Sequence, residues 1–238
     1  MSLPDFDRLG KRDACGLVLK EHVRYNMGAL CGDRAAVYPF GVGLSTWRWI
    51  VSKDISEKFP LTRTVALIGL MGAGKTQIGR GLSQALGAPF IDADAEIEAA
   101  AGRSITDIFE TFGEPHFREG ERQVIQRLLD GPPCILATGG GAFVQDKTRA
   151  LIETKAVSLW LKADLELLVA RTAGKSHRPL LRQGAPREVL QDLMNRRYPV
   201  YAKADIIVET KDEPPQATTA RVLAALKSYF MTHARTKT

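Results

Sequence analysis

The sequence predicts a three-layer α/β sandwich around a parallel sheet, and three observations carry that prediction. From Thr64 onward, short and mostly apolar β-rich runs alternate with amphipathic stretches of helical period. That alternation is the mark of βαβ units whose strands are buried on both faces. The composition, 45% hydrophobic and 25% charged, is that of a soluble globular chain with a sizeable core. The 238 residues accommodate one such domain and an appendage, at roughly 100–200 residues per domain.

Five runs read as strands: 64–69, 89–92, 134–138, 157–161 and 205–208. Helical patterns fall between and after them at 75–86, 114–129, 165–171, 187–201 and 218–230. Right-handed crossovers between successive parallel strands then place helices on both faces of the sheet. No internal repeat is visible.

The chain changes character near Phe59 and Pro60. Seven of its seventeen Phe, Trp and Tyr residues precede Leu61, yet Gly10, Gly16, Gly28, Gly32, Gly41 and Gly43 keep interrupting the pattern. Only short helices are compatible with that punctuation. No chemical motif lies in residues 1–61, which read as an N-terminal extension: a docking segment, a loosely ordered arm, or residues from an over-extended start. Residues 62–232 form the predicted catalytic domain and 233–238 a tail.

A formal net charge of +6 suits a protein that handles anions. Its basic residues are dispersed rather than clustered, which argues against a nucleic-acid-binding stripe. Cys15, Cys31 and Cys134 form no CxxC pair, consistent with a reducing compartment. No apolar run reaches the length of a membrane span. The N-terminus reads as neither signal nor transit peptide, since Asp5, Asp7 and Asp13 intersperse its basic residues. A cytoplasmic protein without nucleic-acid or membrane partners is the expectation.

The strongest local signal is Gly69-Leu-Met-Gly-Ala-Gly74-Lys75-Thr76, the pattern G-x-x-x-x-G-K-[ST] set between a predicted strand and a predicted helix. Glycines there let successive backbone N–H groups turn toward phosphate oxygens, and the helix N-terminus adds positive potential. Lys75 then reaches the β- and γ-phosphates of ATP, and the Thr76 hydroxyl ligates Mg²⁺. The same string could be a glycine-rich turn with a chance lysine, but the flanking strand and helix weigh against that.

A nucleotide cradle does not name the acceptor, for which the rest of the chain is read. Ile91-Asp92-Ala93-Asp94 closes the second strand, and strand alternation places both carboxylates on one face at the carboxyl edge of the sheet. One can hold Mg²⁺ through water and the other accept a proton from an attacking hydroxyl. The competing reading is that one Asp only caps a helix beginning near Ala95. In Gly113-Glu-Pro-His-Phe-Arg118-Glu-Gly-Glu121, Pro115 suits a first helical turn, so Arg118 and Glu121 share a face. An arginine oriented by such a glutamate makes a fork for a carboxylate; by itself the pair would more often be a solvated helix pair.

Strand three runs into Gly139-Gly140-Gly141, where a backbone without side chains permits close approach of a ligand. Thr138 stands where many nucleotide-binding enzymes keep an acid, which assigns the metal role to Asp92. The basic stretch from Arg171 through Arg178 to Leu181 reads as a mobile lid whose arginines close over the triphosphate. Asn195-Arg-Arg197-Tyr-Pro-Val-Tyr201 ends a helix with a further arginine in reach of an anion.

Together these residues resemble the shikimate kinase family. Its motifs stand here as GLMGAGKT, FIDAD, FREGE, TGGGA, RPLL and RRYPVY, in order, over about residues 62–230. The resemblance implies a five-stranded parallel sheet in an α/β/α sandwich of the nucleoside-monophosphate-kinase type. It also implies a substrate-binding part at about 92–121, a lid at about 172–186, and a monomer. It implies Mg²⁺-dependent transfer of the ATP γ-phosphoryl to shikimate, with Asp94, Lys75 and Arg178 catalytic and Asp94 the base. Arg118 and Arg197 then clamp the shikimate carboxylate, and the Gly140 and Gly141 backbone meets the ring. Gly72, Ala73, Gly74, Lys75, Thr76, Gln77, Arg171 and Arg178 fall to the nucleotide, and Thr76 and Asp92 to the metal.

Gln77 replaces a hydroxyl residue that the family often has, and residues 1–60 have no counterpart in it. A gluconate-type kinase would keep the cradle without needing both arginine motifs and the triple glycine. A non-catalytic regulator on the same fold would have lost Lys75, Asp94 or Arg178, and all three are present.

Overall fold

In the described part of the chain, residue 59 and residues 61–173 and 185–234 of a computed structural model, five strands form one sheet. They are β1 (Thr64–Ile68), β2 (Phe90–Asp92), β3 (Ile135–Ala137), β4 (Ala156–Lys162) and β5 (Ile206–Glu209). Their order is β2-β3-β1-β4-β5 and every pairing is parallel. The helices are α1 (Lys75–Leu86), α2 (Ala93–Ala101), α3 (Ile105–Leu129), α4 (Asp146–Lys155), α5 (Leu165–Thr172), α6 (Pro186–Tyr201) and α7 (Pro215–Ala234).

The central strand explains the layering. All five residues of β1 are buried, and Val65, Ala66, Leu67 and Ile68 are at most 1% exposed. A strand so apolar on both faces needs cover on both. The β1-to-β2 connection crosses the sheet one way and the next three cross it the other way. Right-handed crossovers therefore put α1 on one face and α2 to α6 on the opposite one, while α7 follows the last strand. Packing agrees: α1 lies against α7, α3 against α4, and α5 against α6.

Two helical stretches go beyond those read from the sequence, α4 and the first turns of α3, and α2 starts at Ala93, ahead of the start near Ala95 read there. Helix α2 (ADAEIEAAA) buries only Ala93 and Ile97, and α4 (DKTRALIETK) buries only Thr148 and Ile152. So few apolar anchors leave no readable 3.6-residue period. Helix α3 is really two segments, bent at Gly113, whose φ of 78° and ψ of 172° are not helical. A left-handed φ is inexpensive for glycine, and Pro115 then starts the second segment at a position that needs no N–H donor. Ser104 caps the first segment by accepting from the Asp107 N–H at 3.1 Å.

Strand β2 stops at Asp92, and this corrects the strand-alternation reading of the two aspartates. Asp92 is the N-cap of α2, its Oδ1 accepting from the Asp94 N–H at 3.1 Å, and Asp94 lies in the first helical turn. Asp92 thus caps the helix with one carboxylate oxygen, while the other accepts from Thr76. An acidic residue in a first turn also suits the positive end of the helix dipole.

At the other end of the sheet, Asp205 ties β4 to β5 ahead of the first paired residues, Leu159 and Ile206. Its Oδ2 accepts from the Ser158 N–H at 2.8 Å and from the Ser158 hydroxyl at 2.6 Å, and Ser158 is fully buried. Asp205→Ala should cost about 1–2 kcal/mol. That corresponds to a melting temperature lower by roughly 2–8 °C, measurable by calorimetry or thermal circular dichroism.

Candidate active site

A cleft of about 820 Å³ opens at the carboxyl edge of the sheet, where ligands of open α/β folds bind. The β1–α1 loop forms one wall. Gly74 sits at a φ of 94° as the N-cap of α1 and offers no side-chain cap, so the N–H groups of the first turn face outward. A helix start left open in this way is an anion site. Lys75 folds back over the loop, donating from Nζ to the carbonyls of Gly69 at 2.8 Å and Leu70 at 3.1 Å. Gly72, Gly74, Lys75, Thr76 and Gln77 all line the cleft. Ala73 does not: it is buried, and its N–H donates to the Leu70 carbonyl at 3.1 Å, which closes the turn.

Thr76 and Asp92 meet beside this loop, the Thr76 hydroxyl donating to Asp92 Oδ2 at 3.3 Å. One carboxylate and one hydroxyl are a hard-oxygen pair that fits Mg²⁺, an ion that keeps several ligand positions for water and phosphate. Thr138 holds no such position. It is buried, and its hydroxyl donates to the Leu67 carbonyl at 2.9 Å.

The opposite wall is built around residues 139–141, and the glycines there serve side chains rather than unusual backbone angles. A methyl group on Gly139 would stand 2.8 Å from Asp94 Oδ1 and 2.9 Å from Glu121 Oε1. On Gly140 it would stand 3.1 Å from Arg197 Nη1, and on Gly141 2.5 Å from both terminal nitrogens of Arg118. Each glycine therefore vacates the space that a charged side chain occupies. Asp94, Arg118, Gly140, Gly141 and Arg197 line one continuous surface with Lys75.

Arg118 is held from both sides. Nη1 donates to Glu121 at 2.8 Å, while Nε and Nη2 donate to Glu114 Oε1 at 3.1 and 3.0 Å. The two acids are not equivalent, since the Glu121 side chain is 1% exposed and that of Glu114 60%. A water-exposed ion pair contributes little, whereas a buried carboxylate cannot do without its partner. Glu121 is thus the fixed support and Glu114 a yielding one. Burial pushes the Glu121 carboxyl up, the Arg118 charge opposes this, and the nearby Asp94 charge adds to it. Burial also pulls the Arg118 guanidinium down, but Glu121 and Glu114 outweigh it and raise the pKa.

Arg171 lies in the last turn of α5, not in a lid, and donates to the Lys211 carbonyl at 2.9 Å. Arg178 and most of the predicted lid lie outside the described residues. The sequence reading missed Glu114 and the roles of Gly139 and Tyr201. Their spacings carried a signal: Glu114 is four residues before Arg118, and Tyr201 four after Arg197, both one helical turn away.

With the geometry in place, comparison with known proteins gives one answer. A family model described as Shikimate kinase matches residues 71–227. The shikimate kinase of Paramagnetospirillum magneticum is 61% identical over 168 residues, covering 71% of this chain and 86% of its own. That of Caulobacter vibrioides is 56% identical over 179 residues, covering 75% and 88%. Among solved structures, shikimate kinase from Acinetobacter baumannii in complex with shikimate is 36% identical, with a TM-score of 0.67. It covers 70% of this chain and 93% of the other.

Gly141→Ala isolates the space-giving role. Because the atoms its methyl would meet are the far end of a long side chain, the fold should survive and Arg118 should give way. A crystal structure of the variant should show the Arg118 guanidinium displaced while Lys75 and Asp94 stay in place. An unmoved guanidinium would show that the backbone, not the arginine, adjusts.

Proposed function

The chain belongs to the shikimate kinase family, and from that premise we propose how its residues divide the work of the cleft. The enzyme transfers the γ-phosphoryl of ATP to the 3-hydroxyl of shikimate, giving shikimate 3-phosphate and ADP on the route to aromatic amino acids. The observation that carries the residue assignment is the convergence of Arg118, Arg197 and Asp94 on one glycine run, facing Lys75 across a single cleft.

The open start of α1 and the loop before it bind the phosphates, and Lys75 exchanges carbonyl partners for β- and γ-oxygens. Gly72, Gly74, Thr76 and Gln77 complete that cradle, with Ala73 supporting its turn. Arg171 covers the adenine side. Arg118 and Arg197 hold the shikimate carboxylate, a planar anion that guanidinium forks match in geometry and charge. Arg118 releases the exposed Glu114 on binding and keeps the buried Glu121. So held, the ring presents its 3-hydroxyl to Asp94.

Asp94 accepts the hydroxyl proton as the oxygen attacks the γ-phosphorus. The new O–P bond forms as the bond to the β,γ-bridging oxygen breaks, and ADP leaves. Thr76 and Asp92 would hold Mg²⁺, which neutralises charge on the β- and γ-phosphates. Arg178 is assigned to the transferred phosphoryl. The reading includes a monomeric, cytoplasmic enzyme with small-molecule partners and neither nucleic acid nor membrane. Among the described residues no helix is long and apolar enough to cross a membrane.

A coupled ADP-release assay offered shikimate, quinate and gluconate in parallel tests the substrate: turnover of gluconate alone would overturn it. Asp94→Asn tests the base. The variant should bind ATP normally while kcat falls by roughly 10²–10⁴-fold, the range for loss of a general base. A kcat near that of the unmodified chain would reduce Asp94 to a positioning group.

A further inference from the structure

Tyr201 is a buried polar side chain that the proposed chemistry does not use. It closes α6 and is fully buried, yet its phenol reaches the substrate wall. The hydroxyl donates to the Gly140 carbonyl, and Arg197 stands one helical turn earlier on the same helix, its charge favouring the ionised phenol. A methyl on Gly140 would lie 3.8 Å from this oxygen, 3.1 Å from Arg197 Nη1 and 3.5 Å from the Gly69 carbonyl oxygen. That last carbonyl accepts from Lys75. One phenol therefore stands where the glycine run, the arginine helix and the phosphate loop come together.

We propose that Tyr201 is a positioning residue for the acceptor site, fixing the Gly140 peptide and the Arg197 guanidinium relative to each other through one hydroxyl. This rests on the reading of Arg197 as part of the carboxylate clamp. The phenol donates its proton to the Gly140 carbonyl, and its oxygen keeps acceptor capacity for the guanidinium that stands over the same glycine. Burial raises the phenol above its ordinary pKa, and the Arg197 and Arg118 charges only partly offset this. The group thus stays a donor through the physiological range. Its ring is held on edge against Trp160 at 5.8 Å and lies 6.1 Å from Tyr198, so the hydroxyl is aimed by packing. Fixing both groups before shikimate arrives spares the entropy of ordering them on binding.

Tyr201→Phe tests this, because it keeps the ring and removes only the hydroxyl. Losing the bond that fixes the Gly140 peptide beside Arg197 should raise the shikimate KM roughly 3- to 10-fold. The ATP KM and kcat should stay within about two-fold, since the hydroxyl bonds to neither the nucleotide nor Asp94. In an Arg197→Ala background the same substitution should add less than about two-fold, because its effect passes through that arginine. Amide exchange of residues 139–144 in the ligand-free protein should quicken in Tyr201→Phe, whatever the substrate proves to be.

An unchanged shikimate KM with unchanged exchange would overturn the proposal. So would a parallel loss in ATP KM and kcat, fully additive effects, or a variant that no longer folds; each would assign the phenol to stability alone. If the unmodified chain turns over no shikimate, the substrate reading fails and exchange alone decides the role of Tyr201.

Discussion

The cleft depends on a stretch of backbone without side chains at the end of β3, because four ionised groups must approach one another there. Asp94 and Glu121 crowd Gly139, Arg197 crosses Gly140, and Arg118 lies on Gly141. Any β-carbon in this run would stand within 3.1 Å of one of them. Two carboxylates so close would repel strongly if left alone. The two arginines arriving over the neighbouring residues make the cluster electrically tolerable, and both line the cleft. The site is a charge arrangement first, and the glycines are the space it requires.

The two glycine-rich loops of the cleft solve different problems. In the β1–α1 loop, Gly74 takes a backbone angle that other residues avoid, and the outcome is a set of exposed N–H donors at a helix start. In the β3 loop none of the three glycines has a positive φ, and the outcome is room. Strands β1 and β3 pair in register as parallel neighbours, so both loops leave the sheet at the same edge and side by side. That common edge is what brings the open start of α1 and the two arginines over the glycine run into one cleft.

A division between fixed and yielding groups runs through the site. Glu121 is buried and supports Arg118 permanently, while Glu114 occupies the remaining donors from an exposed position that water or a ligand can take over. Asp92 and Asp94 divide similarly. Asp92 is engaged by the helix it caps and by Thr76, whereas Asp94, two residues on in the first helical turn, lines the cleft beside Gly139 and Glu121. Different surroundings let like residues take unlike roles, which is how acid–base assignments arise in most active sites.

The sequence by itself determined the parallel α/β architecture, because apolar strands buried on both faces and amphipathic helices leave different periods in a chain. It also picked out, from local motifs, the glycine-rich loop before α1 and Arg118, Arg197, Asp92 and Asp94, which the fold brings to one cleft. Helix α4 was not legible, and of α2 only a start near Ala95 was, as each buries just two residues. The relation of Asp92 to Asp94 was misread because the chain turns helical immediately after Asp92, a boundary that periodicity does not resolve. Only the tertiary structure decided what the three glycines accommodate, which buried glutamate pairs with Arg118, and that Tyr201 bonds Gly140. Gly140 and Tyr201 are 61 residues apart, and no local pattern carries the energy of a contact that exists only once the sheet and α6 have closed on each other.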